Sequence, residues 1–471
     1  MKLHDTAQNK PLELKPIDGE TYRFYCCGPT VYGPAHIGNF RTFVLQDVLR
    51  RSLEVGGTPT FHVRNLTDVD DKTIKGALAS EMSLTAFTQQ WTDKFHEDCE
   101  ALHCLPPHVE PGAVEHIPQQ ITMTQMLLDK GHAYVGQDGS VYFKISSYEA
   151  YGELSRLDTR ELDLGKTQNT RVNNADEYDK DSISDFVLWK ARKDEDGEHY
   201  WDSPWGEGRP GWHIECSAMI QEHLGDTFDL HSGGVDLIFP HHENEIAQSK
   251  CSYGGGFAQH WFHVTHLLVD GGKMAKSLGN FYTLADLEAK GYTGTEVRYV
   301  LLGTQYRKPL NFTLDSLHAA REALGKISRA IYEFQQEHPT LPDMDGTPVA
   351  VTDFALFQDA WDALQGDLNT QGAIGKMFPQ LKRLKGLSPE EAATNWTALH
   401  GILSALGIQP PTYEPAVRAE APAEIQALAD ERSAAKASKD WARADAIRDE
   451  LKALGWSAED SPEGVVLKPL S

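Results

Sequence analysis

The spacing of apolar residues divides the chain into regions of different kind. Arg23 to Cys27 (RFYCC) is a short aromatic run halted by Gly28-Pro29, which predicts a buried strand ended by a turn. Ile37, Phe40, Val44, Val48 and Leu49 then recur at three- and four-residue intervals, so a helix is expected from about His36 to the Gly56-Gly57 pair. A second strand is expected over Thr60–Leu66. Strand, helix and strand in so short a stretch form one βαβ unit, and therefore the start of a parallel sheet.

From about 115 to 205 the pattern mixes a helix near Ile117–Lys130, a strand at Val141–Ile145 and polar, turn-rich stretches such as Gly165–Lys180, which together read as an insertion. Strand and glycine signals return at Thr227–Gly234, followed by a helix from Pro240, where proline suits the first turn. Beyond 315 no strands are expected. Four helical stripes, beginning at Leu317, Phe354, Ile374 and Trp396, predict a bundle. Pro410, Pro411, Pro415 and Pro422 mark a linker, and Glu424–Leu454 reads as an Ala-rich helix closed by Gly455. The expected fold is α/β: a Rossmann-type doubly wound parallel sheet with an inserted α+β connective segment, then an α-helical bundle and a small C-terminal module. The expected boundaries are 1–115 and 206–265 for the two halves of the sheet domain, with the insertion at 116–205 between them. A lysine-loop junction at 266–315, the bundle at 316–407, the linker at 408–423 and the tail at 424–471 follow.

Composition narrows the class. A chain of 471 residues with 44 basic and 69 acidic side chains has a formal net charge of −25, which excludes an indiscriminate nucleic-acid coat protein. No apolar run of membrane-spanning length and no secretory leader is apparent, so membrane insertion is not expected. Six cysteines, at 26, 27, 99, 104, 216 and 251, are too sparse for a disulfide framework and fit a reducing, cytoplasmic setting.

Two segments carry candidate phosphate chemistry. Gly28 to Asn39 (GPTVYGPAHIGN) runs from a strand's carboxyl end into a helix N-terminus, where exposed N–H groups and the helix dipole favour phosphate. His36 and Asn39 share one helix face, and Gly38 leaves room for a flat group against the backbone. Gly271 to Ser277 (GGKMAKS) presents Lys273 and Lys276 three apart behind paired glycines, a pattern suited to closing on a polyphosphate. A third group suggests a metal. His241 and Glu245, four apart on one helix face, combine with Cys216 and with either Cys26 or Cys27, since adjacent strand residues point to opposite sides.

The histidine-glycine and lysine-serine segments, in this order, resemble the paired signatures of class I aminoacyl-tRNA synthetases. Longer runs narrow the resemblance to the cysteinyl-tRNA synthetase family. They are Cys27–Asn39, Val63–Lys72, Phe186–Lys190, Ser203–Ser217, His231–Gln248, Lys273–Phe281 and, in the tail, Lys439–Arg448. Two departures stand out: HIGN for the usual HIGH, with Asn39 in place of a histidine, and KMAKS for the usual KMSKS, with Ala275 in place of a serine. Altered ATP kinetics are the most that is expected of them, because His36, Gly38 and both lysines remain.

The resemblance implies that ATP with Mg2+ and L-cysteine give a cysteinyl-adenylate, whose cysteinyl group passes to tRNA(Cys). It implies His36, Asn39, Lys273 and Lys276 as catalytic residues, with Gly38 and Ser277 also at the ATP. It selects Cys27 as the second thiol of a Cys27, Cys216, His241, Glu245 set holding one Zn2+ per chain, with a fifth position for the substrate sulfur. It places Gly28, Thr67, Trp212, His231 and Asp236 around the amino acid and adenosine. Zinc suits this task because a thiolate is a soft, readily formed ligand and a serine hydroxyl is not. Arg432, Lys436, Lys439, Trp441 and Arg443 are the candidate contacts to an anticodon loop. A monomer is expected. The competing readings are a same-fold ligase joining cysteine to an amino-sugar, for which the tail would have little use, and a catalytically silent tRNA- or zinc-binding module.

Overall fold

The computed structural model describes residues 1–157, 185–274, 279–415, 421–461 and 464–469. The expected stretch 165–180 lies outside the described residues, as do Lys276 and Ser277. The chain divides into two compact units, Met1–Pro411 and Thr412–Ser471.

At the centre of the first unit is a four-stranded sheet in the order Phe257–Val264, Thr227–Gly234, Tyr22–Cys26, Thr60–Arg64, parallel throughout. Tyr22–Cys26 leads through the helix Ile37–Val55 to Thr60–Arg64 on one side, while Thr227–Gly234 and Phe257–Val264 build out the other. The connections part between Tyr22–Cys26 and Thr227–Gly234. In a doubly wound sheet such a reversal leaves a crevice at the strands' carboxyl ends, where ligands bind.

The helix Ile37–Val55 is the framework's axis, and its buried charges explain how other elements attach. Arg41 donates to the carbonyls of Thr265, His266 and Lys308, fixing the segment that follows the sheet. Asp47, 4% exposed, accepts from Arg51 at 2.8 Å, from Arg298 at 2.5 Å and from the Leu105 amide at 2.8 Å. Arg298 also donates to the Leu406 carbonyl at 2.8 Å, and Arg51 to the Ser404 carbonyl at 3.2 Å, which ties the bundle to this helix. Burial raises the cost of the Asp47 charge, yet the two guanidiniums keep its pKa below the ordinary aspartate value.

The middle of the unit is an antiparallel sheet, Ala133–Val135, Val141–Phe143, Phe186–Ala191 and Gly208–Pro210, backed by the helix Ile117–Asp129. It is tethered to the parallel sheet's side of the molecule through Asp71, which pairs with Lys190 and Arg209. Four expected stripes form the helices Leu314–Glu337, Gln358–Gln365, Thr370–Leu381 and Pro389–Leu406. Among the described residues no helix is long and apolar enough to cross a membrane.

Three local expectations are corrected. The helix expected from Pro240 does follow the extended Phe239 (φ −135°, ψ 132°), but its lead-in through His242 is wound as a π-helix and the regular α-helix starts only at Glu243. The tail's single expected helix is two, Ala423–Ala437 and Trp441–Ala453, divided where Lys439 takes φ 62° and Asp440 caps the second helix through the Arg443 amide. Strands also recur beyond 315, as the antiparallel hairpin Trp456–Ser461 with Gly464–Pro469. Ile425, Ala429, Ile447, Leu451 and Leu467 form the small core of this second unit.

Candidate active site

The crevice is built first from two glycines. A Cβ on Gly28 would stand 1.7 Å from the Asn65 carbonyl oxygen, so only glycine lets the turn after Cys27 press against the neighbouring strand's end. The Gly28 amide donates to the Asn65 side chain at 2.9 Å, and the Asn65 amide group donates to the Thr67 hydroxyl at 3.2 Å. A Cβ on Gly38 would meet the His36 ring at 3.0 Å and the Met274 methyl at 3.1 Å.

His36 is the N-cap of Ile37–Val55. Its Nδ1 accepts from the Asn39 amide at 3.1 Å, and the Asn39 side-chain oxygen accepts from the His36 amide at 3.1 Å. The asparagine of HIGN therefore closes a reciprocal capping box. Its amide nitrogen makes no hydrogen bond to described residues and remains a donor for an anion at the helix N-terminus. The lysine segment comes to the same place. The Ile37 amide donates to the Tyr282 carbonyl at 3.0 Å, His36 bridges Thr283, and the Phe281 ring meets the His36 ring edge-on at 5.2 Å. Lys273 is exposed on the short strand Gly272–Lys273, and its carbonyl accepts from Asn280 at 3.2 Å. The two distant signatures thus meet at one helix N-terminus.

On the other side of Gly28 is a buried cluster. The ligand atoms of Cys27, Cys216, His241 and Glu245 lie within 4.8 Å of one another. Cys27 follows the central strand, Cys216 comes from the helix Trp212–Leu224, Glu245 from the start of Glu243–Tyr253 and His241 from the turn just before it. His241 Nε2 is 3.0 Å from one Glu245 oxygen, and His231 Nε2 is 2.8 Å from the other. The Glu245 carboxyl is held down at about 2, since the His231 and His241 imidazoles outweigh the burial that opposes its ionisation. Cys216 is lowered to about 6, chiefly by the hydrogen bond from Cys27 and then by His241, against its burial. Burial pushes the Cys27 thiol the other way. His213 Nδ1 faces His241 Nδ1 at 2.9 Å, which settles which nitrogen His241 turns to the cluster.

Tetrahedral zinc with thiolate and imidazole donors places its ligand atoms about 3.3–3.8 Å apart. The observed grouping, its two thiols and its ionised carboxylate fit such an ion. A second set shares Cys27 and Glu245 but completes itself with His231 and His242. Cys27 Sγ is 3.3 Å from His242 Nε2, and His242 Nδ1 is 2.7 Å from His263. The sequence reading missed His242, His213 and His263; the tandem histidine of HHENE was the available signal for the first. Cys26, the other thiol considered, turns to the opposite side and packs in the hydrophobic core. All six cysteines are free and buried.

The remaining predicted residues distribute as follows. Trp212 stacks on His241 at 4.3 Å, and Thr67 is buried at the Gly28 turn. Asp236 places a carboxylate oxygen beside Gly234, where a Cβ would meet it at 2.4 Å. In the tail, Arg432 is buried at 6% exposure and Arg443 pairs with Glu431 at 2.7 Å. Lys439 and Trp441 are exposed, and Lys436 is half-buried.

Comparison with known proteins matches residues 13–322 to a family described as "tRNA synthetases class I (C) catalytic domain", and residues 418–465 to "Cysteinyl-tRNA ligase anticodon binding domain". A protein of Opitutus terrae named cysteine--tRNA ligase is 52% identical over 100% of this chain and 99% of its own length. One of the same name from Protochlamydia amoebophila is 43% identical over 99% and 98%. Among solved structures, Mycobacterium tuberculosis methionyl-tRNA synthetase in complex with methionyl-adenylate superposes with TM-score 0.58 at 15% identity, covering 83% of this chain and 91% of that one. A putative arginyl-tRNA synthetase from Campylobacter jejuni gives 0.54 at 14%, covering 84% and 94%. These two establish the likeness of fold.

Proposed function

The chain belongs to the cysteine--tRNA ligase family of class I aminoacyl-tRNA synthetases, and we propose that Cys27, Cys216, His241 and Glu245 hold the zinc ion with which it selects its amino acid. It attaches L-cysteine to tRNA(Cys) in an ATP-dependent reaction. The amino-sugar ligase and the silent binding module find no support, since the relatives match through the tail as well as the sheet domain.

The observation that carries the zinc reading is the convergence of four buried ligand atoms from separate segments at the sheet's switch point. When bound, zinc acts as a Lewis acid that favours the deprotonated thiol of cysteine over the harder, far less acidic hydroxyl of serine. His231 keeps the Glu245 carboxylate oriented through its second oxygen, and His213 does the same for the His241 ring. Trp212, stacked on His241, forms a wall against which the amino acid packs. Gly28 leaves backbone room beside Cys27, while Thr67, His231 and Asp236 offer polar groups to the ammonium, the carboxylate and the adenosine.

With its thiol fixed beside Cys27, the substrate carboxylate faces the helix N-terminus and attacks the α-phosphorus of Mg-bound ATP as pyrophosphate leaves. His36, the outward amide of Asn39, Lys273 and Lys276 stabilise the charge that grows on the phosphates, with Gly38 and Ser277 adjoining the nucleotide. The terminal adenosine hydroxyl of tRNA(Cys) then takes the cysteinyl group. No protein nucleophile takes part. Lys436, Lys439, Trp441, Arg443 and Arg432 belong to the module that reads the anticodon, with the exposed Lys439 and Trp441 as its leading contacts. The free thiols suit a cytoplasmic enzyme, and a monomer holds the whole site within one chain.

Native mass spectrometry tests the metal assignment: wild type carries one zinc per chain, and Cys216→Ser loses it. Full zinc occupancy in that variant removes Cys216 from the site and leaves the His231 and His242 set in its place.

A further inference from the structure

Two of the six cysteines lie outside the candidate active site and face each other. The helix Leu84–Ala101 ends in a left-handed turn, with His103 at φ 56°. There the Leu102 amide donates to the Asp98 carbonyl at 3.0 Å, and the Cys104 amide reaches back to the Cys99 carbonyl at 2.8 Å. A cap of this kind sets a residue of the last helical turn beside the second residue after the helix, usually as an apolar contact. Here both residues are thiols, and they share a hydrogen bond. The surroundings are polar as well: Arg64 Nη1 is 3.9 Å from the Cys99 sulfur, and Arg298 Nη1 is 3.8 Å from the Cys104 sulfur. Glu110 pairs with Arg64 at 2.6 Å and Asp47 with Arg298 at 2.5 Å, behind the guanidiniums. The hydrogen bond from Cys99, aided by the two arginines, holds the Cys104 thiol below its ordinary value against its burial and the Asp47 charge. The same hydrogen bond, with burial, raises Cys99, which keeps its proton.

We propose that Cys99 and Cys104 are a modification site, a thiol pair that hydrogen peroxide converts to a reversible disulfide across the helix cap. Sulfurs already in hydrogen-bond contact need only a small closing movement, and a guanidinium beside a thiol favours the attacking thiolate. Both residues are buried, at 6% and 8% exposure, so the oxidant is a small one. The Cys104 thiolate attacks one peroxide oxygen, the O–O bond breaks, and the departing hydroxide takes a proton and leaves as water. The Cys99 sulfur then attacks the sulfenic acid on Cys104. An S–S bond forms, the S–O bond breaks, and the Cys99 proton leaves with the hydroxyl as a second water. The two sulfurs lose two electrons and the peroxide gains them, and a dithiol reverses the change by exchange. The turn so closed is where the Asp47 network gathers. Its Leu102 carbonyl accepts from Arg298 at 2.9 Å, its His103 carbonyl accepts from Arg51 at 2.8 Å, and the Leu105 amide donates to Asp47 at 2.8 Å. Oxidation locks that turn and withdraws the Cys104 thiolate from Arg298.

The test treats full-length, zinc-loaded enzyme with hydrogen peroxide, alkylates the thiols that survive, and reads the tryptic peptide Phe95–Lys130 by mass spectrometry. That peptide carries these two cysteines and no other. After peroxide it should be lighter by two hydrogens and take up no alkylating agent, and dithiothreitol should restore two alkylatable thiols. In Cys99→Ser, Cys104 should stop at a sulfenic acid that dimedone captures. In Cys104→Ser, oxidation of Cys99 should be slower than that by about tenfold or more. Two alkylatable thiols in the peptide from peroxide-treated wild type overturn the proposal, and that reading requires no variant to fold. A disulfide joining either cysteine to Cys27 or Cys216 overturns it too. So does wild-type Cys104 driven to sulfonic acid while Cys99 remains alkylatable.

Discussion

The two ends of the candidate site are held in different ways. At the thiol end, Cys27, Cys216, His241 and Glu245 come from three elements, are 7% exposed or less, and are braced by further buried histidines. At the phosphate end, Asn39 and Lys273 are exposed, and His36 is placed by its own helix cap. The thiol end therefore depends on the whole sheet and insertion being folded, whereas the phosphate end depends on one helix terminus and the segment laid across it. Selectivity needs the first arrangement, because a metal site must reject misplacement. Charge stabilisation on a substrate that arrives and leaves needs the second.

If the ends are separable, variants at one should leave the other intact. The largest effect is expected from Lys276→Ala: cysteine-dependent pyrophosphate exchange should fall by about 10²–10³-fold, with zinc content by mass spectrometry unchanged. Unaltered exchange would remove the lysine loop from the mechanism. Asp47→Asn breaks the charge network that ties the helix Ile37–Val55 to the bundle. It should cost on the order of 3–5 kcal/mol in denaturant unfolding, because Arg51 and Arg298 lose their buried counter-charge. A loss below about 1 kcal/mol would show that the bundle is held by apolar packing alone. His231→Asn frees one Glu245 oxygen and should weaken zinc affinity by about 10–100-fold in a chelator competition.

The last effect concerns pH. In metal-free enzyme the His241 pKa stands at about 10, above its unfolded value near 6.5, because Glu245 and Cys216 outweigh its burial. Its contribution to stability is complete below the unfolded value and disappears as pH rises through the folded one. Thermal melts of the apo chain should accordingly drop between about pH 6.5 and 10, and the drop should be absent in His241→Asn. An equal drop in both would assign the pH dependence elsewhere.

What was legible in the sequence follows the same division. The HIGN segment could be placed because a helix cap is written in consecutive residues, although its reciprocal bond between His36 and Asn39 appeared only in the structure. The spacing of His241 and Glu245 survived the shift of the helix start to Glu243, since the pair still meets at 3.0 Å. His263 was invisible because its contact with His242 joins a strand to a helix lead-in, and no local pattern records that. In the tail, alanines support a helix equally on both sides of Lys439, so the break left no apolar signal. The amino-terminal hairpin Lys2–Asp5 with Lys10–Glu13 escaped notice for another reason: its strands are four residues long and offer little alternation to read.

The proposed metal at the buried end would make the enzyme choose cysteine by its thiol. ATP–pyrophosphate exchange with cysteine and with serine, before and after zinc removal and again after zinc is restored, tests this most directly. Exchange should occur with cysteine and not serine, vanish on removal, and return with zinc. Undiminished cysteine exchange in the zinc-free enzyme, or comparable exchange with serine in the loaded one, would contradict it.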